Sequence, residues 1–130
     1  MALLTMLCRV SDSLILVEAM ENSEIGELRA QMKKIMKTLN NKSNNRLTIE
    51  NDNTYFAYII EHDVCYMVCF DRNYPKKLAF KYLDELQKEF DTQFGVDVEK
   101  AKRPYAFIAF GNQKKIEITK HVMGFDFKNK

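Results

Sequence analysis

Two consecutive apolar runs, residues 55–61 (YFAYIIE) and 64–70 (VCYMVCF), constrain this chain more than any other stretch. Both are rich in β-branched and aromatic residues, and His62-Asp63 between them has the length of a two-residue hairpin loop. No glycine follows Asp63, so the turn type stays open. Alternation puts Tyr55, Ala57 and Ile59 on one face and Phe56, Tyr58 and Ile60 on the other. Neither face is polar. A strand apolar on both sides belongs inside a sheet covered above and below. The rest of the chain must supply that cover.

A helix follows almost at once. Pro75 suits a first helical position, and Leu78, Tyr82, Leu86, Phe90 and Phe94, widened by Ala79 and Leu83, form one apolar stripe. Gly95 is a natural stop, and residues 96–102 read as a polar connection. Upstream, residues 3–10 and 14–17 form another hairpin around Ser11-Asp12-Ser13. Ser23 then caps a helix with Glu24 and Glu27 in its first turn. Its stripe is Ile25, Leu28, Met32, Ile35, Met36 and Leu39, flanked by Arg29, Lys33, Lys34 and Lys37. The polar loop 40–45 ends that helix, and residues 46–50 form a short strand expected at a sheet edge. Tyr105 to Phe110 has strand composition, yet Pro104 can equally open a helix, and composition leaves both open. The tail from Gly124 onward reads as frayed. The order of elements gives a single α+β domain over residues 1–130, with an antiparallel sheet and helices packed on it.

Composition excludes several functions. Formal net charge is +2, and the lysines are scattered among acids rather than clustered in a stripe, so no nucleic-acid partner is expected. Lys33-Lys34, Lys76-Lys77 and Lys114-Lys115 read as solvated helix faces. No apolar run approaches the ~20 residues that span a bilayer, and residues 1–8 lack the basic flank and cleavage site of a signal peptide. Cys65 and Cys69 share a strand face but lie roughly 13 Å apart, beyond disulfide reach. With Cys8 they are expected to be buried free thiols of a reducing compartment. His62 and His121 provide no zinc-ligand spacing, and no glycine-rich loop cradles a phosphate, so neither metal nor cofactor is expected. His62 near Cys65 lacks a third orienting group, and Glu61 with Asp63 belongs to an exposed turn. The chain is not expected to be an enzyme; that reading would require Cys65 to react readily with thiol reagents in the folded state.

Several segments resemble a known family. Tyr58-Ile59-Ile60-Glu61, Val64-Cys65-Tyr66, Pro75-Lys76-Lys77-Leu78-Ala79-Phe80 and Tyr82-Leu83 are similar to the longin domains of ER–Golgi R-SNAREs of the Sec twenty-two type. Leu3-Leu4-Thr5-Met6, Arg9-Val10, Arg103-Pro104-Tyr105, Phe107-Ile108 and Phe110 follow the same family in the same order, so the likeness covers about residues 1–110. It implies a longin, or profilin-like, fold: a five-stranded antiparallel sheet with one helix on one face and two on the other. It also implies that Pro104 opens a helix.

The resemblance further implies a regulatory and sorting domain on the cytosolic face of endoplasmic reticulum, Golgi and transport-vesicle membranes. Such a domain folds back on its own SNARE segment, meets other SNAREs and presents a composite surface to COPII coat subunits. The implied peptide groove lies between the first helix and the third strand, which nominates Leu28, Met32, Ile35, Met36, Leu47 and Ile49. Flexible methionines suit such a groove, although the same stripe also suits a core face. On the groove reading, Met32→Asp abolishes peptide binding in a folded domain; a molten variant would place Met32 in the core. Neither SNARE heptads nor a C-terminal anchor is found in the sequence, so membrane attachment is expected only through a segment missing here. The alternative is a free-standing longin-type structural subunit of an adaptor or tethering complex.

Overall fold

A computed structural model describes residues 2–20 and 26–104. Five strands form one antiparallel sheet: β1 (Ala2–Arg9), β2 (Leu14–Met20), β3 (Arg46–Glu50), β4 (Thr54–Glu61) and β5 (Val64–Asp71). Their spatial order is β2-β1-β5-β4-β3. The doubly apolar hairpin β4–β5 therefore sits inside the sheet, with β1 along its free flank and short β3 at the far edge. Helix α1 (Gly26–Thr38) precedes β3, and α2 (Lys76–Phe94) follows β5. The expected cap Ser23 and the segment after Pro104 lie outside the described residues.

Strand alternation sorts the interior into two clusters. Tyr55, Ala57, Ile59, Tyr66, Val68 and Phe70 point to α2, where Ala79, Tyr82, Leu83, Leu86 and Phe90 cover them. Phe56, Tyr58, Cys65, Met67 and Cys69 point the other way, with Leu4, Met6 and Cys8, and Met32 and Met36 of α1 pack on them. Among the described residues, α1 thus lies on one face and α2 on the other; the further helix expected from Pro104 lies outside them. The two fillings differ in chemistry. Among the described residues, seven of the eleven buried on the α1 side carry sulfur, and none on the α2 side does.

The α2 side is an aromatic packing. Tyr74 stacks on Phe70 at 4.7 Å between ring centroids, and Tyr66 meets Phe90 edge-on at 5.9 Å. The buried hydroxyl of Tyr55 donates to the Tyr74 carbonyl at 2.7 Å, which fixes the chain where it leaves β5 for α2. Burial pushes the Tyr55 and Tyr66 phenols up, so both stay neutral across the ordinary pH range.

The turns refine the sequence reading. His62 and Asp63 both have positive φ, 51° and 64°, which a two-residue type I′ hairpin requires. Asp63 is held there by Ser11, whose amide and hydroxyl donate to its carboxylate at 3.0 and 2.7 Å. Its carbonyl accepts from the Val10 amide at 2.8 Å, extending the β1–β5 ladder by one rung. β2 runs three residues beyond the expected 14–17, because β1 is long enough to pair Leu4 with Met20. Pro75 stands one position outside α2, its extended backbone presenting a carbonyl to the amides of Leu78 and Ala79 at 3.1 Å.

Gly95 ends α2 without the left-handed cap expected of it; the chain stays right-handed and tightens into a 3-10 segment over Gly95–Lys100. A Cβ there would collide with the Asp91 carboxylate. This stretch is not a polar connection. Val98 and Ala101 are buried in the α2-side core, and the Val98 carbonyl accepts from Arg9 Nη1 at 2.6 Å.

Candidate functional site

Helix α1 is fastened along both flanks. On one, Arg29 Nε pairs with Glu18 of β2; on the other, Gln31 accepts from Asn51 Nδ2 at 2.9 Å, just past the end of β3. Between these tethers Met32 and Met36 are the innermost side chains, at 0% and 2% exposure. Leu28 and Ile35 fall on the Gln31 flank and are only half-buried against the same cluster.

The facing wall comes from β3. Leu47 pairs with Tyr58 and Ile49 with Phe56, so both lie on the α1 side of the sheet. Ile49 is half-buried and Leu47 is 37% exposed, one of the few large apolar residues left open. The other side of β3 pairs with no described strand, which leaves its backbone groups available. The Gln31–Asn51 contact lies near one end of this trench. At the other, the loop after α1 closes on itself through Asn40, which binds the Lys42 amide, while the Asn45 carbonyl accepts from Ile60.

Of the six residues nominated by resemblance, Leu28, Ile35 and Ile49 converge on this half-buried wall and Leu47 stands at its open rim. Met32 and Met36 are interior, beneath the trench floor. Sequence periodicity could not separate these roles, because all four helix residues share one stripe.

The edge strand is clamped from the α2 side. Arg46 makes a two-pronged pair with Asp84 at 3.0 and 3.1 Å and lies 5.0 Å over the Phe80 ring. Glu50 accepts from Lys76 at 2.8 Å and lies 3.6 Å from Arg72. That contact with Lys76 holds the Glu50 carboxyl below its usual range.

The three thiols are buried and free. Cys65 lies opposite Cys8 across the β1–β5 ladder, and its hydrogen bond with Cys8, reinforced by burial, pushes its thiol well up. Burial pushes Cys69 up to about 11. These are the reverse of an activated nucleophile. Among the described residues no cluster of three or more histidine, cysteine or acidic side chains could hold a metal ion, and no helix is long and apolar enough to cross a membrane.

A five-stranded antiparallel sheet with α1 on one face and α2 on the other defines a class, and the sequence agrees with it. Residues 13–113 match the longin profile, a Regulated-SNARE-like domain, and the chain belongs to that family. More particularly, it is similar to vesicle-trafficking protein SEC22b-B of Danio rerio, 43% identical over 115 residues. That alignment covers 85% of this chain and 54% of the fish protein. SEC22b of Xenopus tropicalis is 43% identical over 117 residues, covering 86% and 54%. The 25.3 kDa vesicle transport protein SEC22-1 of Arabidopsis thaliana is 40% identical over 116 residues, covering 85% and 53%. The chain spans about half the length of these relatives. It stands among non-enzymatic trafficking proteins.

Proposed function

We propose that this domain is the regulatory and sorting part of an ER–Golgi vesicle SNARE, acting on the cytosolic face of those membranes. Its trench takes an extended apolar peptide from its own SNARE segment, and domain and peptide together form the surface a COPII coat subunit reads. The supporting observation is the half-buried Leu28, Ile35 and Ile49, with exposed Leu47, beside an edge strand. Apolar side chains and unpaired backbone groups in one place suit a peptide that adds as a strand while seating alternate residues. The relatives' names, all of vesicle-transport proteins, set the direction of the reading.

The test uses fluorescent peptides tiled along the part of the Danio rerio relative that this chain does not match. One or more should bind the domain, and Leu47→Glu should weaken binding at least about tenfold, a loss of roughly 1.4 kcal/mol typical of an anchor residue. Leu47 is already part-exposed, so this variant keeps its fold. Binding by no peptide, or an affinity indifferent to Leu47, would overturn the trench. Coat recruitment should require the bound peptide; a coat subunit that binds the empty domain equally well would remove the composite surface.

A further inference from the structure

Charge is nearly balanced over the whole chain, with 20 basic and 18 acidic residues, but not along it. From Leu28 to Arg46 there are six cations and no aspartate or glutamate. The structure divides the six. Arg29 pairs with Glu18 and Arg46 with Asp84. Lys33, Lys34, Lys37 and Lys42 have no ion pair among the described residues. Helix α2 contrasts with this, since Asp84, Glu85, Glu89 and Asp91 are interleaved with its lysines.

Helical geometry gathers the free lysines. At about 100° per residue, Lys33, Lys34 and Lys37 fall within roughly 100° of arc, turned away from Met32 and Met36. Lys34 and Lys37 are exposed, Lys33 is half-buried, and Lys42 is exposed in the loop just beyond the helix. The helix dipole accounts for a cation at Lys37, in the last turn, but not for Lys33, Lys34 or Lys42.

We propose that this outward face of α1 docks on a membrane surface of anionic phospholipid. A protein partner would need an anchor. The exposed face carries lysines, Ala30 and Thr38, with one acid, Glu27, in the first turn, and the large exposed apolar residues among the described ones, Leu47 and Val96, lie on other elements. Protein interfaces are depleted in lysine and held by buried aromatic or arginine side chains. Three lysines on an amphipathic helix, with a fourth in the loop just beyond it, instead act as a summed field, which anionic headgroups answer without specific fit. The lysines also face away from Leu28 and Ile35, so membrane docking and the trench can be tested separately.

The test is co-sedimentation of the 130-residue protein with vesicles of phosphatidylcholine alone, or with roughly one-third phosphatidylserine. Binding is expected only to the anionic vesicles, and it should fade as salt rises from about 0.05 to 0.3 M. The triple variant Lys33→Gln/Lys34→Gln/Lys37→Gln should partition roughly a hundredfold less, at about fivefold per lysine. Glutamine keeps the stem and the helix propensity, and far-UV circular dichroism verifies the fold. A control, Lys77→Gln/Lys88→Gln/Lys100→Gln, removes the same charge from other exposed positions and should still bind. The proposal is overturned if the wild type ignores anionic vesicles, binds neutral ones equally, or loses binding equally in both triple variants. Fluorescent poly-glutamate bound in place of vesicles would likewise replace the membrane with an acidic protein surface.

Discussion

Met32 lies at 0% exposure among Phe56, Tyr58 and Met67, so Met32→Asp must bury a carboxylate. An uncompensated buried charge costs about 3–5 kcal/mol, and the variant is expected to be molten and to bind ANS. Met32→Leu, which conserves volume, should stay within about 1.5 kcal/mol of the wild type in urea unfolding. His62 offers a sharper test of backbone chemistry. It sits at φ 51° with its side chain largely exposed, so His62→Asn should stabilise by about 0.5 kcal/mol, and β-branched His62→Val should destabilise by about 1–2 kcal/mol. The two-residue length of this turn was legible in the chain; its type was not. Without a glycine, the left-handed pair depends on Ser11, 52 residues away, holding the Asp63 carboxylate. No local pattern contains that contact. The thiols follow the same logic. Cys65 and Cys69, shielded and shifted upward, should label with a thiol reagent only after denaturant is added, and rapid native labelling would count against the described packing.

At the scale of elements, alternation in β4 and β5 was sufficient to demand cover on both faces, and α1 and α2 supply it from opposite sides. The apolar stripe of α1 was equally legible, but its division into interior methionines and a half-exposed flank was not. That division is set by Arg29 and Gln31 holding the helix between β2 and the end of β3, contacts that depend on where β2 and β3 lie in the sheet. The connection after α2 was misread because Val98 looks isolated among polar residues until Arg9 reaches its carbonyl. Arg9 also joins that segment to the β1–β2 turn through Asp12, at 2.6 Å, and this guanidinium holds the Asp12 carboxyl below its ordinary 3.8. A depressed carboxylate contributes stability that is present above the unfolded value and lost as pH falls through the folded one. Asp12→Asn should therefore lower the melting temperature at neutral pH, by a difference that shrinks as pH falls below the ordinary carboxylate value. A difference that survives acid would mean the effect is not electrostatic.

For the whole molecule, the order β2-β1-β5-β4-β3 makes the first strand an inner strand. The profile match begins at residue 13, after β1, yet β1 joins β2 to the central hairpin and brings Leu4, Met6 and Leu7 to the two cores. A chain cut to start at residue 13 should fail to fold, shown by lost amide dispersion in NMR and lost near-ultraviolet dichroism. Well-dispersed spectra from it would mean that β1 is dispensable. The uneven placement of sulfur has a spectroscopic consequence. Met6 and Met67 sit beneath α1 with Met32 and Met36 of its inner face, while the core under α2 contains no methionine among the described residues. Growing the protein on methyl-labelled methionine would place these four reporters on the α1 side and none among the described residues of the opposite core. Their resonances would follow the seating of α1 as a peptide or a vesicle is added, with no probe attached to the chain.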